Sequence, residues 1–134
     1  MRSSRFTIDT AGRQVAEITD RVSDFAAEGG EDGLLSVFVP HATAGLALIE
    51  IGAGSEDDLV EAIERVLPRE ERYRHRHGST GHGADHLVPA FVSSSLVLPV
   101  HGGQVVLGTW QRVVVVDTNR ENNRRTVVLS FVTG

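Results

Sequence analysis

Histidine is the residue type most suggestive of chemistry here, because four of the six histidines fall in one short segment. Residues 72–86 read RYRHRHGSTGHGADH and contain His75, His77, His82 and His86. Three imidazoles commonly hold zinc or a similar ion, leaving one position for water or substrate. The spacings of two, five and four match no standard zinc-finger or HExxH pattern. Two interpretations stay open: a metal site, and a solvated loop whose histidines form structural hydrogen bonds.

His41 and Glu50 are further candidates at the two ends of the segment HATAGLALIE. His41 directly follows the β-rich run 33–40, and the small residues after it would let backbone N–H groups approach an anion. On its own, such a histidine is more often a capping or core residue than a site residue. Glu50 alternates with leucines in LALIEI, so it is either a partnered carboxylate that orients a histidine or moves a proton, or an exposed strand end.

The motif GTWQ at 108–111 contains the single tryptophan, Trp110, followed by Gln111. A glycine, an indole and two hydrogen-bonding side chains within a predicted strand are typical of a ligand wall and also of ordinary core packing. The turn that contains Arg120, Arg124 and Arg125 either clamps a phosphate or is a solvated turn.

Composition excludes several kinds of chemistry. The chain has no cysteine, which excludes thiolate ligands and thiol nucleophiles, and all 13 basic residues are arginine, which excludes Schiff-base lysines. A net charge of −5 and only seven aromatic residues argue against a nucleic-acid partner. No apolar run is long enough to span a membrane, and the N-terminus lacks a secretory apolar segment, so we expect a cytoplasmic protein.

The hydrophobic periodicity predicts one α+β domain over residues 1–134, built on antiparallel β meanders with two main helices. Helices are predicted at 13–28 and 55–68. Strands are predicted at 4–10, 33–40, 46–51, 94–100, 104–118 and 126–134. The run VVVV at 113–116 lacks polar alternation, which predicts a strand covered on both faces. The second cover is either another subunit or a helix of the same chain.

Several of these segments together resemble the YjbQ family, also called secondary thiamine-phosphate synthase. The resemblance covers almost the whole chain and rests on HATAGLALIE (41–50), Tyr73 two residues before His75, His86, SSLVLPV (94–100) and GTWQ (108–111). The chain departs from the family pattern at Ile49, where asparagine is usual, and at Arg112, where glycine is usual. It also lacks most of the loop acids expected within 79–85, where His82 stands instead.

The resemblance implies a YjbQ-like fold that assembles as a homotrimer, with a metal held by His41, His75 and His86 near a subunit boundary. It implies a divalent ion, zinc in the first place or magnesium or another ion, and catalytic roles for Glu50, Trp110 and Gln111. The implied activity joins a pyrimidine pyrophosphate to a thiazole phosphate, with another small phosphorylated molecule as the physiological substrate. The alternative is a non-catalytic trimer that binds a metal or an anion.

Overall fold

Two antiparallel sheets and a layer of helices make up the fold in the computed structural model, which describes residues 1–70, 73–76 and 78–134. The strands are β1 (Arg2–Asp9), β2 (Val15–Glu17), β3 (Gly33–Phe38), β4 (Gly45–Ile49), β5 (Ser95–His101), β6 (Gln104–Val105), β7 (Arg112–Val116) and β8 (Arg124–Thr133). The helices are α1 (Thr19–Ala27), α2 (Ser55–Val66), α3 (His82–Asp85) and α4 (Val88–Phe91). The predicted α+β class with two main helices is confirmed.

The larger sheet has the strand order β1-β8-β3-β5-β6, and the smaller one has the order β2-β7-β4. Their facing sides enclose the main core, into which α1 inserts Val22, Phe25 and Ala26. Alternation along β8 places Val127, Leu129 and Phe131 in this core and turns the residues between them outward. The larger sheet therefore has one buried and one outer face.

The strand β7 is covered on both faces, as its run of valines predicts, and both covers belong to the same chain. Val113 and Val115 lie in the main core, whereas Val114 and Val116 lie in a second core with Leu67. Ala84 and Val88 from the short helices, and Leu59 and Ile63 from α2, complete this second core. The helix alternative is thus the one observed, and no second subunit is needed to bury β7.

Three predicted elements have different bounds in the structure. The predicted helix 13–28 begins only at Thr19, because residues 15–17 pair with residues 114–116 as β2. The predicted strand 104–118 is divided into β6 and β7, and residues 108–111 form the turn between them, closed by Gln111 N–H donating to Gly108 O at 3.0 Å. The predicted histidine loop, residues 72–86, contains α3, and α4 follows it. Within the described ranges, no helix is long and apolar enough to cross a membrane.

Candidate functional site

Three histidines converge at the short helix α3. His82 and His86 lie four residues apart on one face of a single helical turn, and their Nε2 atoms are 2.9 Å apart. His75 comes from the preceding segment, with its ring centre 4.1 Å from that of His86 and 5.3 Å from that of His82. One ring nitrogen from each histidine lies within 4.8 Å of the other two. The group therefore brings three imidazole nitrogens within reach of one ion.

Two glycines allow this approach. Gly81 precedes α3 with a φ of +89°, a conformation that favours glycine, and a side chain there would collide with the guanidinium of Arg69. Within α3, a Cβ atom at Gly83 would lie 2.7 Å from Tyr73 Cβ and 2.8 Å from the carbonyl oxygen of His75. The absence of a side chain at Gly83 therefore lets the segment with His75 pack directly on the helix that carries the other two histidines.

Asp85 anchors α3 to the rest of the molecule. Its carboxylate is fully buried and accepts hydrogen bonds from Arg69 Nη1 at 2.5 Å, Thr118 Oγ1 at 2.7 Å and Asn119 Nδ2 at 3.1 Å. Arg69 Nη1 also donates to the carbonyl of Thr118, and Nη2 to that of Thr80. Because Asp85 lies between His82 and His86 in the chain, this network fixes the helix turn that presents both imidazoles.

A surface cavity of about 380 Å³ opens beside the histidines. Its walls carry two guanidinium groups, Arg69 and Arg76, together with His75, His82 and the backbone of residues 78–81. Arg69 is neutralised by Asp85, whereas Arg76 is exposed and its Nε donates to the carbonyl of Tyr73 at 3.1 Å. The cavity therefore combines the guanidinium of Arg76, the carboxylate of Glu70 and two imidazoles within the volume range of small-molecule sites.

His41, the third predicted ligand, is not part of this group within one chain. Its Nε2 accepts a hydrogen bond from the backbone N–H of Thr126 at 2.8 Å. Partial burial, and then the positive charge of Arg125, lower the pKa of His41 below its usual 6.5, while Asp117 opposes them. The lowered pKa favours the neutral form of His41, whose Nε2 is engaged as the acceptor of an N–H group within β8. In the described part of one chain, His82 is the third histidine beside His75 and His86.

A buried ion pair, Arg125–Asp117, lies close to His41. Arg125 Nε and Nη2 donate to the two Asp117 oxygens at 2.7 and 2.9 Å, and Thr10 Oγ1 donates to the same carboxylate at 2.5 Å. Arg125 was a candidate phosphate clamp, but its side chain is only 1% exposed and its Nη2 also donates to Thr43. Arg125 is therefore a core residue, whereas Arg120 and Arg124 are exposed.

The three residues predicted to be catalytic are all exposed. Glu50 follows the end of β4, which matches the exposed-strand-end alternative. Trp110 is 71% exposed on the 108–111 turn. Gln111 Oε1 accepts the Gly108 N–H at 2.8 Å and so stabilises its own turn. His101 pairs with Asp32 on the surface, and His77 lies outside the described residues.

Sequence reasoning left His82 open and did not single out Asp85 or Asn119. The i, i+4 spacing of His82 and His86 was the available signal, but glycines and small polar residues made the segment read as a loop. Asp85 and Asn119 are 34 positions apart, and nothing in their spacing indicates contact.

Comparison with known proteins identifies one matching family and several similar proteins. The chain matches the family described as UPF0047 protein YjbQ-like over residues 4–134. UPF0047 proteins of Mycobacterium bovis and Mycobacterium tuberculosis are 60% identical over 127 residues, which cover 95% of this chain and 98% of each of these two proteins. The solved structure of a hypothetical protein from Aeropyrum pernix K1 has 33% identity, a TM-score of 0.90 and full coverage of both chains. A YbjQ-like protein of unknown function from Sulfolobus solfataricus has 25% identity and a TM-score of 0.91, covering 99% of this chain and 97% of that one.

Proposed function

The chain belongs to the YjbQ-like UPF0047 family, as its sequence motifs suggested, and we propose that it is a metal-binding enzyme that acts on small phosphorylated molecules. The activity that its family resemblance offers is of the secondary thiamine-phosphate synthase type. The observation that carries the proposal is the convergence of His75, His82 and His86 beside a cavity with arginine in its wall. Under this proposal the protein works in the cytoplasm.

The three imidazoles fit zinc better than magnesium, because magnesium prefers oxygen ligands. In a tetrahedral site with Zn–N distances of about 2.0–2.1 Å, neighbouring nitrogens are about 3.3 Å apart. The Nε2 atoms of His82 and His86 are 2.9 Å apart, and one nitrogen from each of the three histidines lies within 4.8 Å of the other two. Small side-chain rotations would therefore complete the geometry. When bound, the ion would supply a Lewis acid at a phosphate oxygen.

Arg76 is the residue proposed to bind the substrate phosphate. It is exposed on the cavity wall, and its guanidinium offers paired N–H donors that match phosphate oxygens. Gly78 and Gly81, with φ values of +82° and +89°, also line the cavity. The remaining arginine of the wall, Arg69, holds Asp85 and so contributes to positioning.

Self-association as a homotrimer is part of the proposal, and the outer face of the larger sheet supports it. Leu34 and Val132 are register partners on this face, Val97 lies opposite Ser36 two residues further along β3, and Val97 is 62% exposed. Large exposed apolar patches commonly mark protein interfaces. The exposed Trp110 would then either stack on a heteroaromatic substrate or contact a neighbouring subunit, with Glu50 and Gln111 as the other predicted catalytic side chains.

The test combines metal content with turnover. Purified protein is analysed for zinc per chain and then assayed for pyrophosphate release from a pyrimidine pyrophosphate and a thiazole phosphate. We expect about one ion per chain, lost in His75→Ala and His86→Ala and kept in the control His101→Ala, whose histidine pairs with Asp32 on the surface. Arg76→Ala should raise KM with bound zinc unchanged. A wild-type protein that binds no divalent ion would overturn the metal site.

A non-catalytic trimer that binds a metal or an anion is the second candidate. Two observations favour it: Gln111 Oε1 accepts a hydrogen bond within its own turn, and Glu50 and Trp110 are exposed. Wild-type protein with stoichiometric zinc but no turnover of a broad panel of phosphorylated compounds would favour this candidate over the enzyme.

A further inference from the structure

Glu121 contacts the histidine group although it lies far from these histidines in the sequence. It lies in the turn between β7 and β8, and its Oε1 is 3.3 Å from His82 Nδ1. The same oxygen accepts the backbone N–H of Ser79, three residues before His82. The carboxylate therefore bridges the turn after β7 and the segment that leads into α3.

Asn119 holds the turn that contains Glu121 in place through hydrogen bonds. Its Oδ1 accepts the backbone N–H groups of Glu121 at 3.0 Å and Asn122 at 2.8 Å. Its Nδ2 donates to the buried Asp85 at 3.1 Å, on the helix that carries His82. One amide side chain thus couples the turn to α3, so the distance between Glu121 and His82 is set by a network and not by a lone surface contact.

Gly78 leaves the space in which Glu121 and His82 meet. It has a φ of +82°, and a Cβ atom there would lie 2.6 Å from Glu121 Oε1 and 3.0 Å from His82 Cγ. Every residue other than glycine would therefore be strained at this position and would push the carboxylate and the imidazole apart.

Two side chains face the Nδ1 atom of His82. The Glu121 carboxylate, with its Oε1 3.3 Å away, can only accept a hydrogen bond, whereas Asn119 Nδ2 at 3.4 Å carries two N–H groups, one of which donates to Asp85. The closer contact with the carboxylate favours the tautomer that has its proton on Nδ1. A proton on Nδ1 forms a charge-assisted hydrogen bond to the carboxylate. The Nε2 lone pair is then directed toward His86 Nε2, 2.9 Å away, where the ligand atoms converge.

We propose that Glu121 is a positioning residue for the metal site: it holds the Nδ1 proton of His82 and so directs the Nε2 lone pair of His82 toward the ion. Metal-binding histidines commonly donate their second N–H to a carboxylate, which fixes the tautomer and the ring orientation. The inference rests on the proposed metal site of His75, His82 and His86, and it adds a residue that lies outside the ligand set.

Zinc titration of the full chain tests the proposal, with zinc chloride and a competing chromophoric chelator. Loss of an orienting partner lowers metal affinity about 10–100-fold, so we expect that range for Glu121→Ala. Glu121→Gln keeps an acceptor without the charge and should fall between this variant and the wild type. The matched control is Glu61→Gln, an exposed glutamate on α2, which should bind as the wild type does.

Imidazole nitrogen shifts in histidine-labelled protein give a readout that a purely structural role would not change. His82 should carry its proton on Nδ1 in the metal-free wild type and lose this preference in Glu121→Ala. If zinc binds to Glu121→Ala within twofold of the wild-type affinity, or if the tautomer is unchanged, the positioning role is overturned while the metal site stands. If the wild type itself binds no zinc, the proposed metal site fails first, so the two failures are distinguishable.

Discussion

The sharpest stability prediction concerns Asp85, the buried carboxylate between two site histidines. Asp85→Ala leaves the guanidinium of Arg69, whose side chain is only 12% exposed, without its counterion. Removing one partner of a buried ion pair costs about 3–5 kcal/mol, because the other charge stays buried and uncompensated. Thr118 Oγ1 and Asn119 Nδ2 lose their acceptor as well, which places the expected loss toward the upper end.

Thermal and urea unfolding measure this loss. With an unfolding entropy of about 2.1 cal/mol/K per residue, a chain of 134 residues loses about 1 °C in Tm for every 0.28 kcal/mol. Asp85→Ala should therefore lower Tm by about 11–18 °C. The control is Asp24→Ala on the exposed side of α1, which should change the free energy of unfolding by less than about 0.5 kcal/mol.

A second variant separates the unpaired charge from the loss of packing. In Asp85→Ala combined with Arg69→Leu, no buried charge is left without a partner, so part of the stability should return. Zinc affinity should stay low in both variants, because neither holds the turn with His82 and His86. A loss below about 1 kcal/mol in Asp85→Ala would refute the reasoning that this pair anchors α3.

Three further predictions concern His41, the close contact at β4 and the outer sheet face. Burial and Arg125 lower the pKa of His41, so position 41 takes up a proton in the unfolded chain before it does so in the folded one as pH falls. The contribution of neutral His41 to stability is therefore complete above the usual pKa of 6.5 and is lost as the pH falls below it. Wild type should therefore lose more stability than His41→Gln between pH 8 and pH 5 in urea unfolding, and parallel pH profiles would contradict this. Gly45→Ala places a Cβ atom 2.5 Å from the carbonyl oxygen of Ser93 and should cost about 1–3 kcal/mol in the same assay, whereas an unchanged midpoint would show that β4 moves freely. Val97→Glu introduces a charge into the outer face and should convert the proposed trimer to monomers in sedimentation analysis; an unchanged mass would exclude this face as the interface.

The main elements of the fold were predictable because their residues carry strong local patterns. Residues 55–66 have the acidic first turn and apolar spacing of an amphipathic helix, and the β-branched run of β7 has the composition of a doubly covered strand. The predicted start of the first helix was wrong. Val15 and Ile18 fit a helical period, but residues 15–17 pair with β7 and form a strand instead. Long-range pairing of this kind has no signal in the local sequence.

The site was predictable in part for a similar reason. His75 and His86 carry the family spacing and converge in the structure, but His82 joins them through a helical turn hidden in a glycine-rich segment. The fit between Asp85, Asn119 and Glu121 depends on contacts between a helix and a distant turn, which only the folded chain brings together. His41 was predicted as a ligand from its residue type and its position after a strand. Within one chain, however, its Nε2 accepts a hydrogen bond from the Thr126 N–H.

The central claim is that one divalent ion binds to His75, His82 and His86 of a single chain, and anomalous diffraction at the zinc edge tests it most directly. Crystals of zinc-loaded protein should give one strong anomalous peak per chain, within about 2.0–2.1 Å of one nitrogen from each of these three histidines. An anomalous peak at His41 with His82 outside its coordination sphere, or no peak near this group in protein that holds stoichiometric zinc, would contradict the account.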